Sequence, residues 1–240
     1  MFESREELQV LSDLLLCWRF LEFGKKKTDN REETVFVKKL GQYDRIYSVK
    51  ENFPNILYDQ RKFILPIAPK YHTPLLPDSK LNTENEVGFL GREPHKYALQ
   101  KVYISWTFER NIHKGDIIFF YRIGESGSNK KYSSVITTLG ILTDVVFNLK
   151  SKEEFLKHCQ NRTVFSTADL NEFSKKLKSL VIIKFIYVKS LTKRPTLGFL
   201  WDNKILDFPN GARPFTKITD SQFDTIIKES QTNINFIRGI

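Results

Sequence analysis

Three side chains that could hold a flat, electron-rich ligand lie where predicted strands end: Trp106, Tyr121 and Arg122. Trp106 follows an apolar-aromatic run, and Tyr121-Arg122 ends a very hydrophobic run that begins after the turn at Gly115-Asp116. Aromatic faces and a guanidinium at strand ends are suited to binding a heterocycle such as a nucleobase, because loops beside a rigid sheet present side chains to ligands. This pattern indicates binding and gives no evidence of catalysis.

The elements that must position these side chains follow from the hydrophobic pattern. Residues 101–147 predict three strands, with a flexible Gly/Ser/Asn/Lys loop before a long third strand rich in Thr and Val. Ser151 with Glu154, and Ser166 with Asp169, have the spacing that caps a helix. Further elements are predicted at Leu180–Val188 (a buried strand), Leu197–Trp201 (a strand) and Asp220–Glu229 (a helix). Together they predict an α+β fold, a small curved mixed sheet or β-barrel with flanking helices.

The N-terminal third predicts a separate helix-strand region. Apolar residues at helical spacing predict an amphipathic helix over Ser4–Phe23 that ends at Gly24. A strand is predicted at Thr34–Leu40. The segment Phe53–Asp78 is rich in proline and aromatics and includes the strand-like Phe63–Ile67. Its prolines, Pro66, Pro69, Pro74 and Pro77, predict neither helix nor central strand but an ordered strap on a surface.

The polar stretch Ser79–Glu86 is the best candidate boundary between domains. It divides the chain into residues 1–83, the helix, strand and proline-rich strap, and residues 84–240, the sheet domain. At 240 residues the chain can bury a sizeable core as one large or two small domains.

Composition points to an acidic partner. The net charge is +10 and the isoelectric point is about 9.4, so nucleic acid is the first partner to consider, although a merely lysine-rich bacterial protein has the same composition. The apolar runs are strand-sized, so no membrane partner is expected. Glu3, Glu6 and Glu7 do not fit a secretory signal, which predicts a cytoplasmic protein.

Cys17 and Cys159 are the two cysteines, and no CxxC or histidine pair accompanies them. We expect two small buried thiols, no disulfide, no metal site and no cofactor. His72 has no serine or cysteine nucleophile in its context, so a hydrogen bond that anchors the strap is predicted for it.

Several motifs in a fixed order resemble a PUA-like domain of the group that includes the EVE, ASCH and YTH modules. The resemblance covers roughly residues 85–231 and rests on the order and spacing of five motifs: K-V-Y-I-S-W at Lys101–Trp106, I-H-K-G-D-I-I-F-F-Y-R at Ile112–Arg122, T-T-L-G-I-L-T-D at Thr137–Asp144, N-R-T-V-F-S at Asn161–Ser166 and A-R-P-F-T-K-I at Ala212–Ile218.

The PUA-like resemblance implies nucleic-acid binding, RNA or DNA, with a modified or flipped base held beside the barrel. Base recognition needs aromatic faces for stacking and fixed donors and acceptors for the base edge. The implied pocket residues are Ser105, Trp106, Tyr121, Arg122, Thr137, Thr138, Arg162 and Thr163. The alternative is that Trp106 and Tyr121 are core aromatics and that Arg122 pairs with a surface carboxylate.

Basic side chains could contact phosphates if they cluster on the pocket face, and otherwise they are solvated surface charges. The candidates are Lys130, Lys131, Lys175, Lys176, Lys178, Lys193, Arg194 and Arg213.

A second resemblance concerns the N-terminal third. L-L-L-C-W-R-F-L-E-F-G-K-K-K followed by E-E-T-V-F-V-K-K-L is similar to the last helix and strand of GNAT acetyltransferases, and Pro69–Asp78 is similar to a strap that joins such a domain to a PUA-like domain. The Arg/Gln-x-x-Gly-x-Gly/Ala turn that holds acetyl-CoA is missing, so acetyl transfer is not expected from this chain. Two alternatives remain: part of a split acetyltransferase or toxin-like system, or an interaction unit whose strand Thr34–Leu40 pairs with a partner chain.

Overall fold

The computed structural model describes residues 2–3, 9–28, 31–41, 43–82, 93–106 and 109–239. The chain divides into two compact units, residues 1–59 with 234–240 and residues 60–233. The boundary predicted between residues 83 and 84 lies outside the described residues and stays a prediction.

The strands are β1 (Phe2–Glu3), β2 (Leu21–Thr28), β3 (Arg31–Val37), β4 (Ile56–Leu57), β5 (Lys62–Ile67), β6 (Gln100–Ser105), β7 (Ile117–Arg122), β8 (Val135–Val146), β9 (Val181–Ser190), β10 (Thr216–Ile218) and β11 (Ile237–Arg238). The helices are α1 (Gln9–Cys17), α2 (Val49–Asn52), α3 (Pro69–Leu75), α4 (Pro94–Tyr97), α5 (Lys130–Ser133), α6 (Lys152–Cys159), α7 (Thr167–Phe173), α8 (Leu197–Asp202) and α9 (Asp220–Ser230), with 3-10 turns at Pro77–Ser79 and Ser174–Ser179.

The first unit contains a three-stranded antiparallel sheet in the order β1-β3-β2. The predicted helix over Ser4–Phe23 is wrong at its C-terminal end, because α1 ends at Cys17 and the chain becomes strand β2 from Leu21. Backbone pairing with β3 and an ion pair between Lys25 and Glu32 at 3.1 Å stabilise the extended form. The strand predicted at Thr34–Leu40 is the central strand here, so a partner strand would have to add at β1 or β2.

The second unit contains a six-stranded mixed sheet in the order β10-β5-β7-β8-β9-β6. Strands β5 and β7 are parallel and the other pairs are antiparallel. The register of β8 shifts against both neighbours, and such bulges bend a strand and increase its twist. Among the described residues β10 and β6 pair at one side only, so the sheet is open. The predicted α+β fold with a mixed sheet is confirmed. The described strands do not close into the β-barrel that was the alternative.

The sheet is covered on both faces by apolar side chains. Phe63, Phe120 and Phe185 belong to one buried cluster, in which the rings of Phe120 and Phe185 lie 4.7 Å apart. Ile104 and Phe155 belong to a second cluster, which α6 and α7 complete. Every residue of β7 is buried, which explains its unbroken apolar run.

The proline-rich strap (Pro69–Asp78) forms a helix where none was predicted. Pro69 is the first residue of α3, a position at which a missing N–H costs nothing. The prediction that these prolines exclude a central strand is also wrong, because Pro66 lies inside β5, and β5 is paired on both sides. It is tolerated because β10 pairs with β5 over Ile64 to Lys62 and does not reach Pro66.

Two other expectations need correction. Leu197–Trp201 is helical, because the Oγ1 of Thr196 accepts from the N–H of Phe199 and caps α8. Cys17 is exposed, while Cys159 is buried as predicted. In the described part of the chain, no helix has both the length and the apolar composition needed to cross a membrane.

Candidate functional site

A cavity of about 490 Å³ opens beside the C-terminal end of β7. It lies within the second unit. Its lining combines two guanidinium groups, one carboxylate, one aromatic ring, an amide, a hydroxyl and two aliphatic side chains: Leu81, Asn82, Arg122, Glu125, Tyr132, Ser133, Val135 and Arg194. The volume falls within the range of about 300–1,000 Å³ that is typical of small-ligand sites.

Arg122 is the most deeply buried charged group of this lining, with 4% of its side chain exposed. It ends β7 and pairs across the sheet with Val135. Its Nη2 donates to Oε1 of Glu125 at 2.6 Å. Arg122 therefore lines the cavity and at the same time pairs with an exposed carboxylate, and its part in base binding stays a prediction.

The loop that follows Arg122 is held by hydrogen bonds, although the sequence predicts a flexible loop. The Nζ of Lys130 donates to the carbonyl oxygens of Gly124 and Glu125 at 2.5 and 2.6 Å. The N–H of Gly124 donates to the Oγ of Ser134 at 2.9 Å, and Ser133 and Ser128 share a hydrogen bond at 2.7 Å. This network places Glu125, Tyr132 and Ser133 on one side of the cavity.

Tyr132 and Arg194 provide an aromatic face and a second cation. The ring of Tyr132 is 64% exposed, so it is available for stacking. Lys131 lies over it, with Nζ 5.6 Å from the ring centroid. Arg194 is fixed from the other side, because its Nη2 donates to the carbonyl oxygen of Lys80 at 2.5 Å. A flat ligand beside Tyr132 would therefore meet positive charge.

Tyr121 does not line this cavity, which corrects its predicted place. Successive residues of a strand point to opposite faces, so the ring of Tyr121 points away from the guanidinium of Arg122. The ring is 3% exposed, and burial raises the pKa of the Tyr121 hydroxyl, with a hydrogen bond from Ser134 acting in the opposite direction. Tyr121 is therefore a buried core aromatic, which is the alternative interpretation of this residue in the sequence.

Thr137 and Thr138 are also away from the cavity. Their hydroxyls form hydrogen bonds with His72 in the strap and with Ser79 directly after it. Both are fully buried. The Nε2 of His72 lies 2.8 Å from Oγ1 of Thr137, and Oγ1 of Thr138 donates to Oγ of Ser79 at 2.6 Å. The predicted anchoring role of His72 is confirmed by this contact.

Ser105 and Trp106 lie at the opposite end of the sheet from Arg122. Ser105 ends β6 opposite Val181, the first residue of β9. The last residues of β9 reach the beginning of β8, which pairs with Arg122. Because these strands are antiparallel, Trp106 cannot contribute to the cavity. Ser105 is buried and Trp106 is exposed.

Arg162 and Thr163 lie beside the edge strand β6 and outside the cavity lining. The Nη1 of Arg162 donates to Oε1 of Gln100 at 2.7 Å, and its carbonyl oxygen accepts from the N–H of Val102 at 2.8 Å. Thr163 is buried, and its Oγ1 has no hydrogen-bond partner among the described residues. Arg162 therefore joins the α6–α7 connection to the sheet.

The predicted phosphate contacts are dispersed. Lys130 and Lys131 flank the cavity in α5. Lys175 pairs with Glu172 at 2.6 Å, and Lys176 is exposed in the same 3-10 turn. Arg213 is exposed, with its backbone bonded to the Oγ1 of Thr216. No group of three or more His, Cys, Asp or Glu side chains in the described ranges is placed to hold a metal ion.

Asn82, Glu125, Tyr132 and Ser133 are lining residues that sequence reasoning missed. Tyr132 follows two lysines, a local pattern of aromatic and basic residues that could have indicated it. Asn82 lies in the polar stretch taken for a boundary, where nothing local distinguishes it.

No protein-family model matches the chain, and no curated protein matches its sequence. Solved structures do match it. ASCH from Zymomonas mobilis is 9% identical, with 71% of this chain and 96% of that chain covered and a TM-score of 0.47. Human THYN1, in complex with 5-methylcytosine-containing DNA, is 12% identical, with 73% and 100% covered and a TM-score of 0.36.

The N-terminal domain of McrB from Thermococcus gammatolerans, bound to m5C DNA, is 15% identical, with 70% of this chain and 96% of that chain covered and a TM-score of 0.37. All three solved structures share less than 25% of their residues with this chain.

Proposed function

We propose that this protein binds nucleic acid and holds one base in the cavity beside Arg122. The observation that supports this proposal is the lining itself, in which the exposed ring of Tyr132 lies with the guanidinium groups of Arg122 and Arg194 around about 490 Å³. A net charge of +10 favours a polyanionic partner.

Each kind of lining group has a part in binding a base. Tyr132 provides a face for stacking, which contributes about 1–3 kcal/mol per base. Arg122 and Arg194 donate to carbonyl oxygens, ring nitrogens or the adjoining phosphate. The side chains of Asn82 and Ser133 offer donors and acceptors for the base edge.

The base has to leave its stack to enter such a recess. Enzymes and binding domains that take up a single base act on single strands or extrude the nucleotide from a duplex. Leu81 and Val135 add an aliphatic part to the lining, which suits a methyl group on the base. A modified base in a single strand or a flipped base in a duplex is therefore the proposed ligand.

Binding of fluorescent oligonucleotides, measured by anisotropy at low salt, tests the proposal. DNA with 5-methylcytosine is the first probe, since the THYN1 and McrB structures hold such DNA. Unmodified DNA and RNA of the same sequence complete the set. Tyr132→Ala should weaken binding of the preferred probe about tenfold, and Tyr132→Phe, which keeps the ring, should retain it.

Two results would contradict the proposal that the cavity binds a base. The first is equal affinity of Tyr132→Ala and the unchanged protein for every probe. The second is no measurable binding at low salt, where a basic protein binds its polyanion best.

A further inference from the structure

Four aromatic rings form a continuous row away from the cavity. The ring of Trp106 lies 5.0 Å from that of Phe173, Phe173 lies 4.9 Å from Phe165, and Phe165 lies 4.9 Å from Tyr71, all between ring centroids. The Nζ of Lys70 lies 4.6 Å from the centroid of Tyr71. We call Trp106, Phe173, Phe165 and Tyr71 the aromatic row.

The aromatic row is anchored on its inner side and exposed at one end. Phe165 and Phe173 pack against the cluster that contains Phe155, and Tyr71 packs against the cluster that contains Phe120. Trp106 is 45% exposed, although its edge contact with Phe173 holds the ring in place. A ring that is held in place and exposed to solvent is available to stack with a base.

Lysines predominate around the aromatic row. Lys70 lies at one end, and Lys175, Lys176 and Lys178 are exposed in the 3-10 turn that directly follows Phe173. The neighbouring carboxylates, Asp169 and Glu172, are bonded to Ser166 and Lys175. The surface therefore combines one exposed ring, that of Trp106, with positive charge.

We propose that the aromatic row is a second nucleic-acid contact, at which Trp106 stacks with a base of a single strand. The inference rests on the proposed partner class and is independent of the cavity. A single strand is the occupant that fits, because its bases offer their faces, while a duplex hides them between neighbouring pairs. Proteins that bind single strands without sequence preference combine aromatic platforms with basic side chains in this way.

The test uses an unmodified 12-residue oligothymidylate and three variants of the full chain. Trp106→Ala should weaken its binding about tenfold in anisotropy, and Trp106→Phe should weaken it less, because a smaller ring still stacks. Wild-type protein should show quenched indole fluorescence on binding. Trp106→Phe retains Trp18 and Trp201 and should lose that quenching.

The cavity variant separates this inference from the proposed function. Tyr132→Ala should keep the fluorescence quenching, since it leaves Trp106 unchanged. If Tyr132→Ala binds every modified probe as the wild type does while Trp106→Ala loses oligothymidylate, the aromatic row stands and the cavity proposal fails.

If Trp106→Ala binds oligothymidylate as tightly as the wild type does, the inference is wrong. The aromatic row would then be assigned to a protein partner. Circular dichroism checks folding of each variant. Should Trp106→Ala be unfolded, the double change Lys176→Glu and Lys178→Glu provides the second test, with about tenfold weaker binding expected and unchanged binding overturning the proposal.

Discussion

Arg122 and Glu125 form an ion pair in which a guanidinium that is 4% exposed meets a carboxylate that is 62% exposed, at 2.6 Å. Both side chains line the cavity. An exposed carboxylate is easily exchanged for water or a ligand, whereas the buried guanidinium needs an acceptor at all times. An acceptor group of a ligand would therefore compete with Glu125 for the guanidinium of Arg122.

Glu125→Gln should strengthen nucleic-acid binding. Glutamine competes less strongly than glutamate for Arg122, and the loss of one negative charge makes the cavity more positive. Because an ion pair with an exposed partner contributes up to about 1 kcal/mol, we expect Kd to fall by up to roughly fivefold. Anisotropy at low salt measures the change. Asp207→Asn, which removes an exposed carboxyl outside the lining, is the matched control and should change Kd less. Equal gains in both variants would show a bulk charge effect and contradict the assigned role of Glu125.

Thr137→Val should destabilise the second unit. The change keeps the shape of the side chain and removes the hydroxyl that lies 2.8 Å from Nε2 of His72, in a fully buried place. Loss of a buried polar partner costs about 1–3 kcal/mol. Urea unfolding measures the loss in the free energy of unfolding. Thr167→Val is the control, because Thr167 is exposed at the start of a helix, and it should change the free energy of unfolding by less than about 0.5 kcal/mol. Equal stability of the two variants would contradict the anchoring role.

Lys101 should make stability rise with pH between about pH 8 and 10. Burial lowers the pKa of Lys101 from 10.5 to about 8, with Asp78 opposing the shift. Its Nζ donates to the carbonyl oxygens of His95 and Lys96 at 2.8 and 3.0 Å. In this window the unfolded state binds more protons than the folded state, so the free energy of unfolding increases with pH, by an amount on the order of 2 kcal/mol.

The difference between the wild type and Lys101→Met isolates this effect. Burial raises the pKa of Tyr103 to about 12, so above pH 10 the unfolded chain loses phenolic protons first and stability falls. Tyr103 is present in both proteins, and its contribution cancels in the difference. Urea unfolding at pH 8 and pH 10 should show the larger rise in the wild type. The same rise in both proteins would contradict a depressed pKa for Lys101.

Gly124→Ala should destabilise the loop beside the cavity. A Cβ at this position would collide with Oγ of Ser133 and lie 3.0 Å from its Cβ. Overpacking of this kind costs about 1–3 kcal/mol. Thermal unfolding measures the loss, and adding Ser133→Gly to Gly124→Ala should recover part of it by removing the colliding atoms. No recovery in the double variant would show that the collision is not the cause.

Strands and capped helices of the second unit were accessible from local patterns. The very hydrophobic run I-I-F-F-Y-R predicts a strand, and β7 is one, with every residue buried. Ser166 and Asp169 predict a cap, and both hydrogen bonds of a capping box are present there. The same local reasoning was wrong at Leu21–Phe23, where pairing with β3 overrides helical spacing, and at the strap, where Pro69 begins a helix.

The residues of the cavity could not be deduced in the same way. Chain order places Trp106, Tyr121 and Arg122 in one short region, yet the antiparallel order of β6 to β9 puts Trp106 at the far end, and strand alternation turns Tyr121 inward. Asn82 and Arg194 lie 40 and 72 residues from Arg122 in the sequence, yet all three line the same cavity.

Sequence alone was sufficient for charge, for most of the element types in the second unit and for the presence of aromatic and cationic groups at strand ends, because these depend on neighbours a few residues apart. The grouping of those side chains into a cavity and a separate aromatic row depends on strand order and register. Those are set by the burial of both sheet faces, a property of the whole folded unit.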